Sequence, residues 1–417
     1  MILIGRCKRL VHAELLVLLW FGLGALPLGA SDWLQWRGPT RDGKVMEASW
    51  PSNLAGLKKT WKVGLGPGYS GPIIAGDRVF VTETRDKKEE IVRALERRTG
   101  AQLWQQSWEG ALSVPFFAKS NGDWIRATPA CDGTNLFVAG MRDVLVCLDV
   151  VTGSNRWRLD FVKLLGSPVP DFGFVSSPLL DGDSVYVQAG ASVLKIRKED
   201  GEVVWRAMKD GGGMWGSAFS SPVIATLLGR RQLVVQTRET LVGLDLEKGS
   251  VLWSKPVEAF RGMNILTPVI VGSNSVLTST YGGKTILHRL VDGAGGVQVE
   301  ESWVHKAQGY MSTPVVIGDF AYCHLKSQRV MCLELTSGAE RWTSDQSFGK
   351  YWSMVASGSR ILALDQKGKL YLLEASSQSF QLLASASVSE QESWAHLAVA
   401  GTQLFVRDLA NITAFSW

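Results

Sequence analysis

The chain has 417 residues, 46% of them hydrophobic and 20% charged, with a formal net charge of +5; this is a folded protein long enough to bury a large core. The excess charge is not gathered anywhere, since Lys58-Lys59, Arg97-Arg98 and Arg230-Arg231 are isolated pairs, so a nucleic-acid groove has no footprint and no nucleic acid is expected as a partner. Seventeen tryptophans and 44 glycines against 14 prolines point instead to a repeated unit that supplies both.

At the N-terminus, Arg6, Lys8 and Arg9 precede an apolar run from Leu15 to Leu26, and Leu28-Gly29-Ala30 offers small residues for cleavage before Ser31. Residues 1–30 read as an export signal, with an uncleaved anchor as the alternative. The run is shorter than the roughly 20 residues of a spanning helix, so no membrane-spanning segment is expected after cleavage. Removal leaves a net charge of +3. A periplasmic or secreted location and one domain over residues 31–417 follow.

Beyond the lead-in WLQWRGPTRDG, starting at Trp33, the stretch LKKTWKV from Leu57 to Val63 reads as a lone strand carrying Trp61. Phrases built on Ser/Thr-Pro or Gly-Pro then return in order, opening at Tyr69, Ile125, Phe174, Phe219, Ile265 and Met311. Each leads to a second phrase that ends on a tryptophan: Trp104, Trp157, Trp205, Trp253, Trp303 and Trp342, at steps of 53, 48, 48, 50 and 39 residues. Several short strands per unit at this period predict a β-propeller.

One unit explains the residue types. The Pro-apolar-apolar phrase is a first strand, the VYV-like alternation a second, and VCLDV a third that runs into the Thr-Gly turn of LDVVTGSNRW, Leu148 to Trp157. The glycine supplies a left-handed backbone and the aspartate can cap the turn amides. The fourth strand carries the indole, which suits the space between neighbouring blades and stabilises by about 2–3 kcal/mol when buried. Two weaker units start at Trp352 and His396, the last with only three strands. An open sheet edge is a liability, so Leu57–Val63 is expected to close the last blade as its fourth strand. The expected fold is all-β, an eight-bladed propeller of four-stranded antiparallel blades, with seven blades as the alternative. The segment from Asp86 to Gly100 carries helix signals of its own, but its alignment with the other units predicts strand, turn and strand.

Cys131 and Cys147 fall on the first and third strands of one unit, too far apart to bond. Cys323 and Cys332 would face each other if Ser327-Gln328 is a two-residue turn, which suits a disulfide; two free core thiols are the alternative. The five histidines show no metal spacing, and Asp132-Gly-Thr-Asn and Asp181-Gly-Asp read as hairpin turns before calcium loops. Gly211–Gly213 reads as a flexible connection and not as a phosphate cradle.

The turn phrase resembles the pyrroloquinoline-quinone (PQQ) repeat, the tryptophan-docking unit of bacterial quinoprotein propellers. Cys147-Leu148-Asp149, Thr152-Gly153 and Trp157 match it, and Gly243, Asp245, Gly249 and Trp253 match it more loosely. The resemblance spans nearly the whole chain after the signal and implies the scaffold, since non-enzymatic propellers such as the outer-membrane-assembly factor BamB share it. It implies Trp104, Trp157, Trp205, Trp253, Trp303 and Trp342 as structural docking residues. Quinone-binding members hold calcium through acidic and amide side chains, with an aspartate base and often a disulfide between adjacent cysteines. This chain has no Cys-Cys pair and nothing that aligns with those positions, so no catalytic, cofactor-binding or metal-binding residue is assigned and no cofactor is expected, PQQ staying open as an alternative that no ligand residue supports. Ser31 stands where a lipid-anchored relative would carry cysteine.

The connections that precede each first strand crowd one mouth of such a ring and are rich in aromatics. Tyr69, Arg126, Phe174, Trp215, Arg261, Tyr310 and Trp352 are the candidate binding mouth, with Trp124, Phe172, Phe219 and Tyr351 beside them; the plainer alternative is that they only plug the funnel. Three functions remain: an exported non-catalytic scaffold that contacts another envelope or exported protein, a quinone-dependent dehydrogenase, and a propeller binding carbohydrate or another small ligand.

Overall fold

The computed structural model describes residues 32–46, 50–212 and 219–417, so residues 1–30, which the sequence reading takes as an export signal, lie outside the described residues. Eight four-stranded antiparallel sheets follow one another along the chain. Their innermost strands, Ile73–Ala75, Ala130–Cys131, Leu179–Asp181, Val223–Leu227, Val269–Val271, Val315–Ile317, Trp352–Ser357 and Ala398–Ala400, open blades 1 to 8. The innermost strands of blades 1 and 8 touch, and the ring closes there. The fold is the expected eight-bladed propeller. Glu89–Glu96 is a strand, its pairing to both neighbours overriding its helix propensity.

Blade 8 takes its outer strand from the front of the chain: Lys58–Gly64 pairs antiparallel with Asn411–Ser416. The indoles of the repeat reach across to the next blade, where each donates to the carbonyl that follows the third strand. Trp61 donates to Arg97 O, Trp104 to Val150 O, Trp157 to Lys198 O, Trp205 to Leu246 O, Trp303 to Leu335 O and Trp342 to Ser376 O, at 2.6–3.1 Å. Trp253 departs from this. Blade 5 replaces the Thr-Gly turn with a long hairpin, Thr285–Gly293 to Gly296–His305, and Trp253 instead donates to Gln232 Oε1 within its own blade.

The Ser/Thr of the repeated Pro phrase has its own role. Gly71 N donates to Thr128 Oγ1 (2.9 Å), Thr128 N to Ser177 Oγ (3.0 Å), Ser177 N to Ser221 Oγ (2.9 Å), Ser221 N to Thr267 Oγ1 (3.3 Å) and Thr267 N to Thr313 Oγ1 (3.1 Å). The hydroxyls thus stitch blades 1 to 6 around the axis, satisfying amides that burial would otherwise orphan. Ser221→Ala is expected to cost about 1–3 kcal/mol in denaturant unfolding by leaving Ser177 N unpaired, and Ser221→Thr to retain most of it; equal stability of wild type and alanine variant would contradict the stitch.

Residues 33–45 cross the channel. Trp33 pairs with Ile74 of blade 1, and Val45 N donates to Ala356 O of blade 7. Between them Arg37 donates to Pro314 O and Asp42 O, and Arg41 to Ser177 O and Pro178 O. Both guanidiniums lie near the Trp36 ring, at 5.6 and 5.8 Å from its centroid. Burial pulls Arg37 down to about 10 and Arg41 to about 9. The lead-in phrase is therefore a strap whose two arginines grip the carbonyls that open blades 6 and 3.

Cys323 and Cys332 do not face each other. Leu325 N donates to Arg329 O and Gln328 N to Leu325 O, so the hairpin loop has three residues, the last, Gln328, at φ 65°. That extra residue shifts the register: Cys323 opposes Met331 and Cys332 opposes Tyr322, which puts the thiols on opposite faces of the blade, buried and free.

Two carboxylates are buried between blades. Glu90 accepts from Met141 N and Trp108 Nε1, both at 2.7 Å, and Asp143 accepts from Gly190 N at 2.8 Å; burial pushes each up to about 7. Because the folded value lies above the unfolded one, this stability is fully present below about pH 4.5 and is lost as pH rises through 7. His288, His324 and His396 oppose it, since burial lowers them to about 4, 4 and 3 and their contribution is lost as pH falls below 6.5. Glu90→Gln is expected to lower stability below pH 4.5, because the glutamine's one carbonyl oxygen can accept from Met141 N or Trp108 Nε1 while its NH2 faces the other donor, yet to flatten the decline between pH 4.5 and 7 by up to about 3 kcal/mol. Melts across that range check it, and parallel curves for the two proteins would refute it.

Candidate functional site

Each innermost strand starts with a run whose side chains alternate, as extended backbone requires. Counting back from the ring hydroxyl or its equivalent, the residue one before points into the blades in the first seven units, where Ser70, Ala127, Ser176, Ser220, Leu266, Ser312 and Trp352 are all buried; His396, at the same place in the eighth, is buried too but borders the cavity beside Trp36. The residue two before points to the axis: Tyr69, Arg126, Val175, Phe219, Ile265, Met311 and Tyr351 all line one cavity of about 350 Å³. Its inner end carries the ring hydroxyls of Thr128, Ser177, Ser221 and Thr313, with Trp36 of the strap. The connecting loops add Phe117, Phe172, Phe260, Arg261, Tyr281, Tyr310 and Trp394.

The structure thus brings Tyr69, Arg126, Arg261 and Tyr310 together, with Phe172, Phe219 and Tyr351. Trp124 stands against Tyr69, with ring centroids 5.3 Å apart. Trp352 is not at the mouth. It occupies a blade-facing position, 1% exposed, stacked on His324 at 5.6 Å and packed on Phe348 at 4.4 Å. Phe174 is also misplaced: Gly173 at φ 76° reverses the chain after Phe172, and Phe174 packs on Phe161 in the core of blades 2 and 3. Trp215 lies outside the described residues.

Sequence reasoning missed Trp36, Phe117, Phe260, Tyr281, Trp394 and His396. Aligning the last unit with the others would have found Trp394, just ahead of the eighth innermost strand. The rings form nearly continuous walls: Tyr351 stacks on Trp394 (6.1 Å), Trp394 leans tilted against Tyr69 (5.4 Å), Phe117 meets Phe172 (6.3 Å) and Phe172 meets Phe219 (5.4 Å). Tyr281 and Tyr310 lie 5.1 Å apart on the wall beside Arg261.

The lining carries cations and no carboxylate among the described residues. Arg126 lies 5.3 Å from the Tyr69 ring and donates to Gly122 O, and burial pulls it below the ordinary arginine range. Arg261 sits at φ 53° in a turn, exposed, 5.2 Å from the Phe260 ring. His396, lowered to about 3 by burial, adds no charge at neutral pH. Among the described residues no group of three His, Cys, Asp or Glu side chains could hold a metal ion, and no helix is long and apolar enough to cross a membrane. Such a funnel can hold an aromatic or apolar group between rings and present a guanidinium to an anion beside it.

The family described as outer membrane protein assembly factor BamB matches residues 88–344. The outer membrane protein assembly factor BamB of Moranella endobia is 24% identical over 264 residues; that match spans 59% of this chain and 64% of the relative, short of two thirds of its length. The crystal structure of BamB from Moraxella catarrhalis superposes with a TM-score of 0.64 at 16% identity, covering 87% of this chain and 98% of that one. The quinohemoprotein alcohol dehydrogenase of Comamonas testosteroni superposes with a TM-score of 0.52 at 10% identity, covering 93% and 80%. The family match extends over more than half of the residues, from blade 1 through blade 6, and with the eight-bladed ring it establishes that this chain belongs to the BamB family of PQQ-repeat propellers.

Proposed function

We propose that the protein is an exported, non-catalytic scaffold in the assembly of outer-membrane proteins, working in the periplasm or as a secreted protein and contacting an envelope partner through the aromatic mouth. The observation that carries this is the mouth itself. Aromatic side chains from most of the blades converge on one funnel, and Phe116 and Phe117 stand exposed at its rim. Clustered aromatics with an arginine are the side chains that dominate protein contacts.

The scaffold reading includes no resident quinone. The fold does not separate the two roles, because an alcohol dehydrogenase shares it. The donor set supports the scaffold reading, because the described lining offers no carboxylate to the calcium that accompanies the quinone in family enzymes. Adding quinone and calcium to the purified protein should leave no quinone absorbance after desalting.

The role is tested in the native bacterium. Deleting the gene should lower the abundance of outer-membrane β-barrel proteins, and a photo-crosslinking residue in place of Phe260 should trap an envelope protein. Unchanged barrel proteins in the deletion strain would overturn the assembly role.

A further inference from the structure

The scaffold reading leaves open what the mouth recognises, and the charges around it narrow the answer. Arg126 and Arg261 are the cations of the lining, and neither forms an ion pair among the described residues. Nearby carboxylates are already engaged elsewhere. Asp123 accepts from Val114 N (2.8 Å) and Ser113 Oγ (3.2 Å), and Glu392 accepts from Gln366 Nε2 and Trp394 Nε1, both at 2.9 Å. The Arg126 Nε is buried without a partner among the described residues, and the exposed Arg261 guanidinium lies 5.2 Å from the Phe260 ring.

Resting on that scaffold reading, we propose that the mouth takes an extended peptide segment of the partner, an aromatic side chain entering the ring of aromatics and an adjacent carboxylate pairing with Arg261 and Arg126. The funnel walls are too apolar to reward a charged side chain by themselves, and the guanidiniums would be wasted on an apolar one. The pairing of the two chemistries at one opening selects a segment that carries both. A guanidinium beside aromatic faces, partly shielded from water, binds a carboxylate more strongly than the same pair does on an open surface.

The test uses the purified full chain and dye-labelled peptides capped at both ends, so that no terminal charge competes. Fluorescence anisotropy at low salt should show a Phe-Asp-Phe peptide binding at least about tenfold tighter than its Phe-Asn-Phe counterpart, with a Phe-Lys-Phe peptide weaker still. Arg261→Ala should remove most of the Asp-over-Asn preference while the melting temperature stays unchanged, and Arg261→Lys should keep part of it. Equal affinity for the Asp and Asn peptides would overturn the proposal, as would an undiminished preference in the Arg261→Ala protein. Competition by N-acetylphenylalanine at the peptide's own dissociation constant would also overturn it, since a small aromatic acid would then suffice. These outcomes concern what the mouth binds, and the deletion strain decides separately whether the protein assists assembly.

Discussion

A chain shortened to begin at Leu65 is expected to lose cooperative unfolding altogether. The deletion takes away Lys58–Gly64, which forms six register pairs with Asn411–Ser416 and is the outer edge of blade 8. It also removes the Trp61 indole, which donates to Arg97 O, packs 6.0 Å from Phe405 and fastens blade 8 to blade 1. Loss of that buried indole alone costs about 3–5 kcal/mol. The strap goes with it, leaving Ser177 O, Pro178 O and Pro314 O without Arg41 and Arg37. These losses together match or exceed the 5–15 kcal/mol of a whole domain. They also fall at the seam where the two ends of the chain meet, so no other element can take over. Calorimetry should show no sharp transition for the shortened chain, and a separate peptide covering residues 32–64 should restore one. A sharp melt within a few degrees of the full chain would mean that the ring closes without its borrowed strand.

Much of this architecture was legible in the sequence because a propeller writes the same physics eight times. The Pro phrase and the tryptophan recur at a steady period, and that overruled the helix signals between Asp86 and Gly100. The borrowed strand was legible from the same count, since the last unit is one strand short. What failed was anything that depends on a single residue of register. Cys323 and Cys332 part company because the loop holds Lys326, Ser327 and Gln328, and nothing in the sequence separates a two-residue from a three-residue turn there.

The mouth was half legible for the same reason. Reading whole aromatic loops captured Tyr69, Arg126, Arg261 and Tyr310, yet also Phe174 and Trp352, which point into the blades. A period of two, counted back from the Ser/Thr that precedes proline, puts Phe174, three before Ser177, on the blade-facing side; the same count from Ser353, which stands in that place without a proline after it, puts Trp352 there too. Trp36 had no such signal. Its place in the funnel comes from the strap crossing the channel, a contact between segments far apart in the chain.

Gly153→Ala and Trp104→Ala are expected to be strongly destabilising and not additive. Gly153 adopts φ 73° in the Thr-Gly turn, where Asp149 Oδ1 accepts from Val151 N, Thr152 N and Thr152 Oγ1. The left-handed backbone costs a non-glycine residue about 1–2 kcal/mol. A second cost has a different source, because a Cβ at Gly153 would lie 2.6 Å from the Trp104 ring, nearer than carbon atoms approach. The indole would have to lift, straining its 3.0 Å bond to Val150 O. Gly153→Ala should therefore cost about 2–4 kcal/mol and Trp104→Ala about 3–5 kcal/mol. In the double variant the ring is gone, so only the backbone part of the glycine cost remains, and the total should fall short of the sum by about 1–2 kcal/mol. Denaturant unfolding of the four proteins measures that coupling. Additivity would show that glycine serves the turn alone; the expected coupling would show that the turn glycine and the neighbouring blade's indole are one joint, the same joint that Gly100, Gly201, Gly249 and Gly338 make with Trp61, Trp157, Trp205 and Trp303.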